Sequence, residues 1–142
     1  MKKDYTLIIV DNDQDDHRFI IRGLKQANYN FNYARVYGGE ELLALLLKKD
    51  LHKDSKVINP DFILLDINMP KFSGFQTLRI LKANAELKKI PVYVLSTATD
   101  EHLIGTVISL GAEYYYSKPT DIDRYKMIFE EICAKLNQKQ AR

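Results

Sequence analysis

Three short runs of near-continuous apolar residues, Tyr5–Val10, Asp61–Asp66 and Pro91–Ser96, recur along this chain, and each breaks off at an acid or a hydroxyl. A strand with one wet face alternates apolar and polar residues, whereas a strand apolar on both sides has to be covered on both faces. That demand points to a parallel sheet, because parallel strands need long crossovers and the crossover helices cover the sheet. Two weaker runs, Tyr33–Tyr37 and Glu113–Ser117, bring the expected strands to five.

Between the runs, apolar residues fall three and four apart, the helical spacing. Helices are expected over Asp15–Asn28, Gly39–Leu51, Ser73–Ala85, Glu101–Leu110 and Ile122–Asn137. In the last of these, Ile122, Tyr125, Phe129, Ile132 and Leu136 form one apolar stripe suited to packing on a sheet. Asp15, Ser73 and Asp121 are the expected N-caps, and Gly111 sits where a helix end favours a left-handed residue. The polar stretch His52–Asn59 reads as a surface loop ahead of the third strand, and the chain has no repeats or low-complexity tract.

A length of 142 residues suits a single α/β domain spanning 1–142, with 46% hydrophobic and 28% charged residues arguing against disorder. A formal net charge of +2, with both signs interspersed, gives no footprint for nucleic acid. Lys2 and Lys3 precede an apolar run too short for a signal peptide, so a cytoplasmic protein without membrane contact is expected. Cys133 falls in a helical apolar stripe and reads as a small buried side chain.

Ligands of parallel α/β sheets bind at the carboxyl ends of the strands. Here those ends carry Asp11-Asn12-Asp13, Asp66 with Asn68, Ser96-Thr97 and Lys118-Pro119. Carboxylates to hold a hard cation, a hydroxyl and an ammonium are what phosphoryl chemistry requires, with Asp66 as the nucleophile. Singly, each residue has a bland reading: an Asp after a strand is often a turn former, and a lysine is often solvated. Pro119 restricts the backbone and admits a cis bond, which would aim the Lys118 ammonium inward.

From Thr6 to Leu136 the sequence resembles the receiver domains of bacterial response regulators, of the stand-alone, chemotaxis-regulator-like kind. The resemblance is carried by Leu7-Ile8-Ile9-Val10-Asp11-Asn12-Asp13, Leu64-Leu65-Asp66-Ile67-Asn68-Met69-Pro70 with Gly74, Pro91-Val92-Tyr93-Val94-Leu95-Ser96, and Gly111-Ala112 leading to Tyr115 and Lys118-Pro119. It implies a flavodoxin-like five-stranded parallel sheet of order 2-1-3-4-5 with helices on both faces. It further implies that Asp66 accepts a phosphoryl group from a histidine kinase or phosphotransfer protein. Asp11, Asn12, Asp66 and the main-chain carbonyl of Asn68 are the positions placing Mg2+, Ser96 and Lys118 read the phosphate, and Tyr115 turns inward as Ser96 moves. A switch of this kind signals by protein contact, and the fourth helix, fifth strand and fifth helix are where the family docks partners or dimerises. Tyr114, Tyr116 and Tyr125 enrich that region, although packing alone accounts for them equally well.

Two positions depart from the family pattern. Asn12 stands where a second acid is usual, which predicts weaker Mg2+ binding, with Asp13 the candidate substitute. Thr97 is bulkier than usual beside the acceptor and predicts slower phosphotransfer and hydrolysis. The stretch Leu45–Asn59 is also longer than usual.

Three other readings compete. A calcium loop starting at Asp11 fails because Asp16 and Arg22 stand where glycine and glutamate are required. A phosphohydrolase of the haloacid dehalogenase type could recruit Asp11, Asp13, Ser96 and Lys118, but Asp15 breaks its motif and Asp66 to Pro70 goes unexplained. A receiver-like interaction module that works without phosphorylation has Asn12 as its sequence support.

Overall fold

The computed structural model describes residues 4–47, 59–68, 74–97 and 100–140. In chain order they form β1 (Asp4–Val10), α1 (Gln14–Gln26), β2 (Asn30–Val36), α2 (Gly39–Leu46), β3 (Phe62–Asp66), α3 (Gly74–Ala83), β4 (Val92–Ser96), α4 (Glu101–Ser109), β5 (Tyr114–Ser117) and α5 (Ile122–Gln140), with a single 3-10 turn at Leu87–Lys89. All five strands pair in parallel, in the order β2-β1-β3-β4-β5. The flavodoxin-like arrangement expected from the sequence is the one observed.

Alternation along each strand divides the core into two layers. Ile8, Val10, Ile63, Leu65, Val92 and Val94 point to one face, where they meet Leu42 and Leu45 of α2, Leu78 and Leu81 of α3, and Val107 of α4. Their neighbours Leu7, Ile9, Phe62, Leu64, Tyr93 and Leu95 point the other way, onto Ile20 and Leu24 of α1 and the stripe Tyr125, Phe129, Ile132, Cys133 and Leu136 of α5. The apolar runs are continuous because β3 and β4 are covered on both sides. Cys133 is a fully buried small side chain, as read from its place in the stripe.

Differences from the sequence reading lie at element ends. β2 spans Asn30–Val36 rather than Tyr33–Tyr37; it is an edge strand paired with β1 alone, and most of it stays accessible, so polar residues extend it. The N-cap of α1 is Asp13 rather than Asp15, since Asp13 Oδ1 accepts the Asp15 N–H at 2.8 Å and the helix begins at Gln14. Asp121 caps α5 as expected, accepting the Arg124 N–H at 2.9 Å. Gly111 follows α4 with a φ of 113°, a conformation that L side chains rarely adopt. Helix α2 is described to Leu46, and α5 runs to Gln140, three residues beyond Asn137. Ser73, Met69-Pro70 and most of the expected loop His52–Asn59 lie outside the described residues.

Candidate functional site

Parallel pairing in register brings the four strand ends to one edge. Val10 pairs with Leu65, Asp66 with Leu95, and Ser96 with Ser117. The ladder runs one step past β5, where the Lys118 N–H donates to the Ser96 carbonyl at 2.8 Å. That bond, rather than the cis proline bond envisaged from the sequence, aims the lysine: no cis peptide occurs among the described residues.

The Lys118 ammonium lies at the centre of three carboxylates. Nζ is 2.7 Å from Asp16 Oδ2, 3.1 Å from Asp11 Oδ2 and 3.3 Å from Asp66 Oδ2. Asp11 and Asp66 are 1% and 4% exposed, so their charges are held almost out of water and each needs compensation. Asp66 Oδ1 accepts the backbone N–H of Asn68 at 3.0 Å, and Asp11 Oδ1 that of Asp13 at 2.9 Å. Ser96 is fully buried, and its Oγ accepts from Asn68 Nδ2 at 2.9 Å.

Burial pushes the Asp11 carboxyl up to about 6, against the downward pull of the Asp13 N–H and the Lys118 ammonium. It raises Asp66 as well, with Lys118 and the Asn68 N–H opposing. For Lys118, burial works toward a lower pKa, but the Asp16 bond and the charges of Asp11 and Asp66 outweigh it and hold the ammonium firmly protonated.

Asn12 is exposed beside this cluster, and Asp13 is exposed with one carboxylate oxygen committed to capping α1. The third acid that reaches the lysine is Asp16, which the sequence reading passed over. It stands four residues before Ile20 and seven or eight before Gly23 and Leu24, on the buried stripe of α1. That helical spacing was the available signal. His17 was also missed: it is fully buried, and its Nε2 donates to the Asp11 carbonyl at 2.7 Å, fixing the exit of β1.

Tyr115 is buried on the α2–α4 face, 8% exposed, while Tyr114 and Tyr116 flank it on the opposite side of β5. Thr97 is exposed at the end of β4. Among the described residues no group of three or more His, Cys, Asp or Glu side chains is arranged to hold a metal ion alone. A cation here would draw on carboxylate and carbonyl oxygens together. Asp11 Oδ2, buried and held by a charge contact to Lys118 rather than by a well-aligned hydrogen bond, fits that use.

Gly74, the first residue of α3, lies against the acceptor segment. Its N–H donates to the Ile67 carbonyl at 3.2 Å, and a Cβ there would come within 2.6 Å of the Asp66 carbonyl oxygen and 2.5 Å of Ile67 Cα. Only glycine lets the helix approach this closely.

Among known proteins, response regulator Rcp1 of Synechocystis sp. is 29% identical over 123 residues, covering 86% of this chain and 82% of Rcp1. The protein RcaC of Microchaete diplosiphon is 26% identical over 113 residues, 80% of this chain but 16% of RcaC, where the matched region is part of a much longer protein. Of solved structures, the phosphorylated cyanobacterial phytochrome response regulator RcpA is 30% identical with a TM-score of 0.79, covering 90% of each chain. The Mn2+-bound form of Rcp1 is 26% identical with a TM-score of 0.77, covering 90% of this chain and 91% of that one. The family model described as the response regulator receiver domain matches residues 7–130, a stretch containing all four converging strand ends. The chain therefore belongs to the response regulator receiver domain family, and it is a phosphoacceptor switch of two-component signalling.

Proposed function

We propose that Asp66 is the phosphoacceptor, taking its phosphoryl group from a histidine kinase or a phosphotransfer protein. The observation that carries this reading is the Lys118 ammonium 3.3 Å from a buried Asp66 carboxylate. A buried nucleophile beside a fixed cation has a ready counter-charge for the oxygens of an incoming phosphoryl group.

The cation is Mg2+, held by Asp11, Asp66 and the main-chain carbonyl of Asn68, with Asn12 a neutral ligand position at its rim. Bound there, it would neutralise charge on the phosphoryl oxygens. Asn12 weakens it relative to a site with two adjacent acids. The Mn2+-bound form of the related Rcp1 supports a divalent cation as a ligand of this chain.

Ser96 and Lys118 then bind the phosphoryl oxygens. Asn68 Nδ2 donates to Ser96 Oγ, which ties the hydroxyl to the acceptor segment in the unphosphorylated chain. Tyr115 lies on the same face as α4 and couples movement of Ser96 to the surface.

Output leaves through α4, β5 and α5, toward a downstream protein or a second copy of the chain. A shallow cavity of about 480 Å³ there is lined by Tyr114, Ser117, Arg124, Met127 and Glu131, and Tyr114 and Met127 are 46% and 65% exposed. The unit is one receiver domain over 1–142, acting as a cytoplasmic switch rather than an enzyme with a separate substrate. No described helix is long and apolar enough to cross a membrane.

Acetyl phosphate with and without Mg2+ tests the reading. The expected result is a single phosphoryl mass increment, dependent on Mg2+, mapping to the Asp66 peptide and absent in Asp66→Asn. Labelling at Asp11 instead, or none under any condition, would replace this reading with the phosphohydrolase or the phosphorylation-independent module respectively.

A further inference from the structure

Lys118 does not make its shortest contact with the acceptor. Its Nζ donates to Asp16 Oδ2 at 2.7 Å, against 3.3 Å to Asp66. The helix that carries Asp16 is held in place. The first turn of α1 is capped by Asp13, and the buried face of the helix is clamped on α5, so closely that a Cβ on Gly23 would come within 2.4 Å of Tyr125 Cβ. The backbone that carries this carboxylate is therefore held close to the strand ends, with Oδ2 in contact with the ammonium.

Resting on the assignment of Asp66 and Lys118 above, we propose that Asp16 is a positioning residue that competes with the phosphoryl group for Lys118. In the unphosphorylated chain it holds the ammonium between α1 and the acceptor. A phosphoryl group on Asp66 adds negative charge where three carboxylates already share this lysine, and the lysine must turn from Asp16 to bind it. Asp16 thereby biases the switch toward its unphosphorylated state, and the site offsets part of its own affinity for phosphate.

Isothermal titration of beryllofluoride, a phosphoryl mimic, at saturating Mg2+ reads this directly. Asp16→Asn keeps the shape of the side chain and removes its charge, and it is expected to bind beryllofluoride about tenfold more tightly, the scale of one unit charge at a partly exposed site. Asp15→Asn removes a charge from the same helical turn, where Asp15 pairs with Arg18 at 3.6 Å in solvent, and should leave affinity unchanged. In a Lys118→Met background the gain from Asp16→Asn should fall to less than half, because no ammonium remains to be released. Unchanged or weaker binding by Asp16→Asn overturns the proposal, as does a gain that persists undiminished without Lys118. The Asp66→Asn variant separates the two levels: if it binds beryllofluoride as well as the parent chain, the acceptor assignment has failed and this inference falls with it.

Discussion

Asp11→Asn should make the metal-free protein more stable at neutral pH while weakening its hold on Mg2+. The carboxyl of Asp11 is pushed by burial from its ordinary 3.8 to about 6. A carboxyl with a raised folded-state pKa binds its proton more tightly in the native chain, so native stability falls as pH rises from the unfolded value through the folded one. A shift of this size corresponds to about 3 kcal/mol lost above pH 6, at 1.36 kcal/mol per unit. Asparagine resembles the protonated carboxyl and escapes that loss. Its Oδ1 still accepts the Asp13 N–H, but its amide would face the Lys118 ammonium across the present 3.1 Å, donor against donor, at a cost of about 1 kcal/mol. The net gain is about 2 kcal/mol at pH 7.5, or roughly 4–8 °C in Tm for a chain of this size. Urea unfolding in EDTA should show the variant level with or behind the parent chain by up to about 1 kcal/mol near pH 4, where only the donor clash counts, and ahead above pH 6. Adding Mg2+ should then stabilise the parent chain more than the variant. A difference that does not change with pH, or a variant less stable at pH 7.5, would refute the claim that Asp11 is a strained, cation-seeking carboxylate.

Gly74→Ala forces a Cβ onto the backbone of Asp66 and Ile67, which has no flexible end to yield; a loss of about 2–4 kcal/mol by thermal melting, with slower labelling by acetyl phosphate, is expected. Lys82 donates from its half-buried ammonium to the carbonyls of Lys88 and Ile90, at 3.0 and 2.9 Å, so Lys82→Met should cost about 1–3 kcal/mol in urea unfolding and leave beryllofluoride affinity unchanged. Gly111→Ala places an L side chain at φ 113°, against the Lys82 stem, and should lower stability by about 1–3 kcal/mol without altering the phosphorylation site on peptide mapping.

Helix boundaries were the least legible part of the sequence. Asp13 and Asp15 both satisfy the chemistry of a cap, and the choice between them depends on where the chain turns after β1, a geometry set by pairing of β1 with β2 and β3. The edge strand was misplaced by three residues because its side chains are mostly accessible and leave little apolar pattern. Asp16 was overlooked for a related reason: the run of acids after β1 reads as a solvated stretch until the helix is drawn and one of its members falls on the buried stripe.

What the chain determines locally is the sheet and its chemistry. Runs such as Phe62–Asp66, apolar on both sides, must be covered on both faces, and the residues ending those runs must then gather at one edge. What only the folded structure decides is how the charges at that edge are shared. Three carboxylates, from the exit of β1, from α1 and from β3, meet one ammonium from beyond β5 and share it within 3.3 Å. Charge interactions in a site withdrawn from water depend on distance and burial, and neither is written in the spacing of residues along the chain.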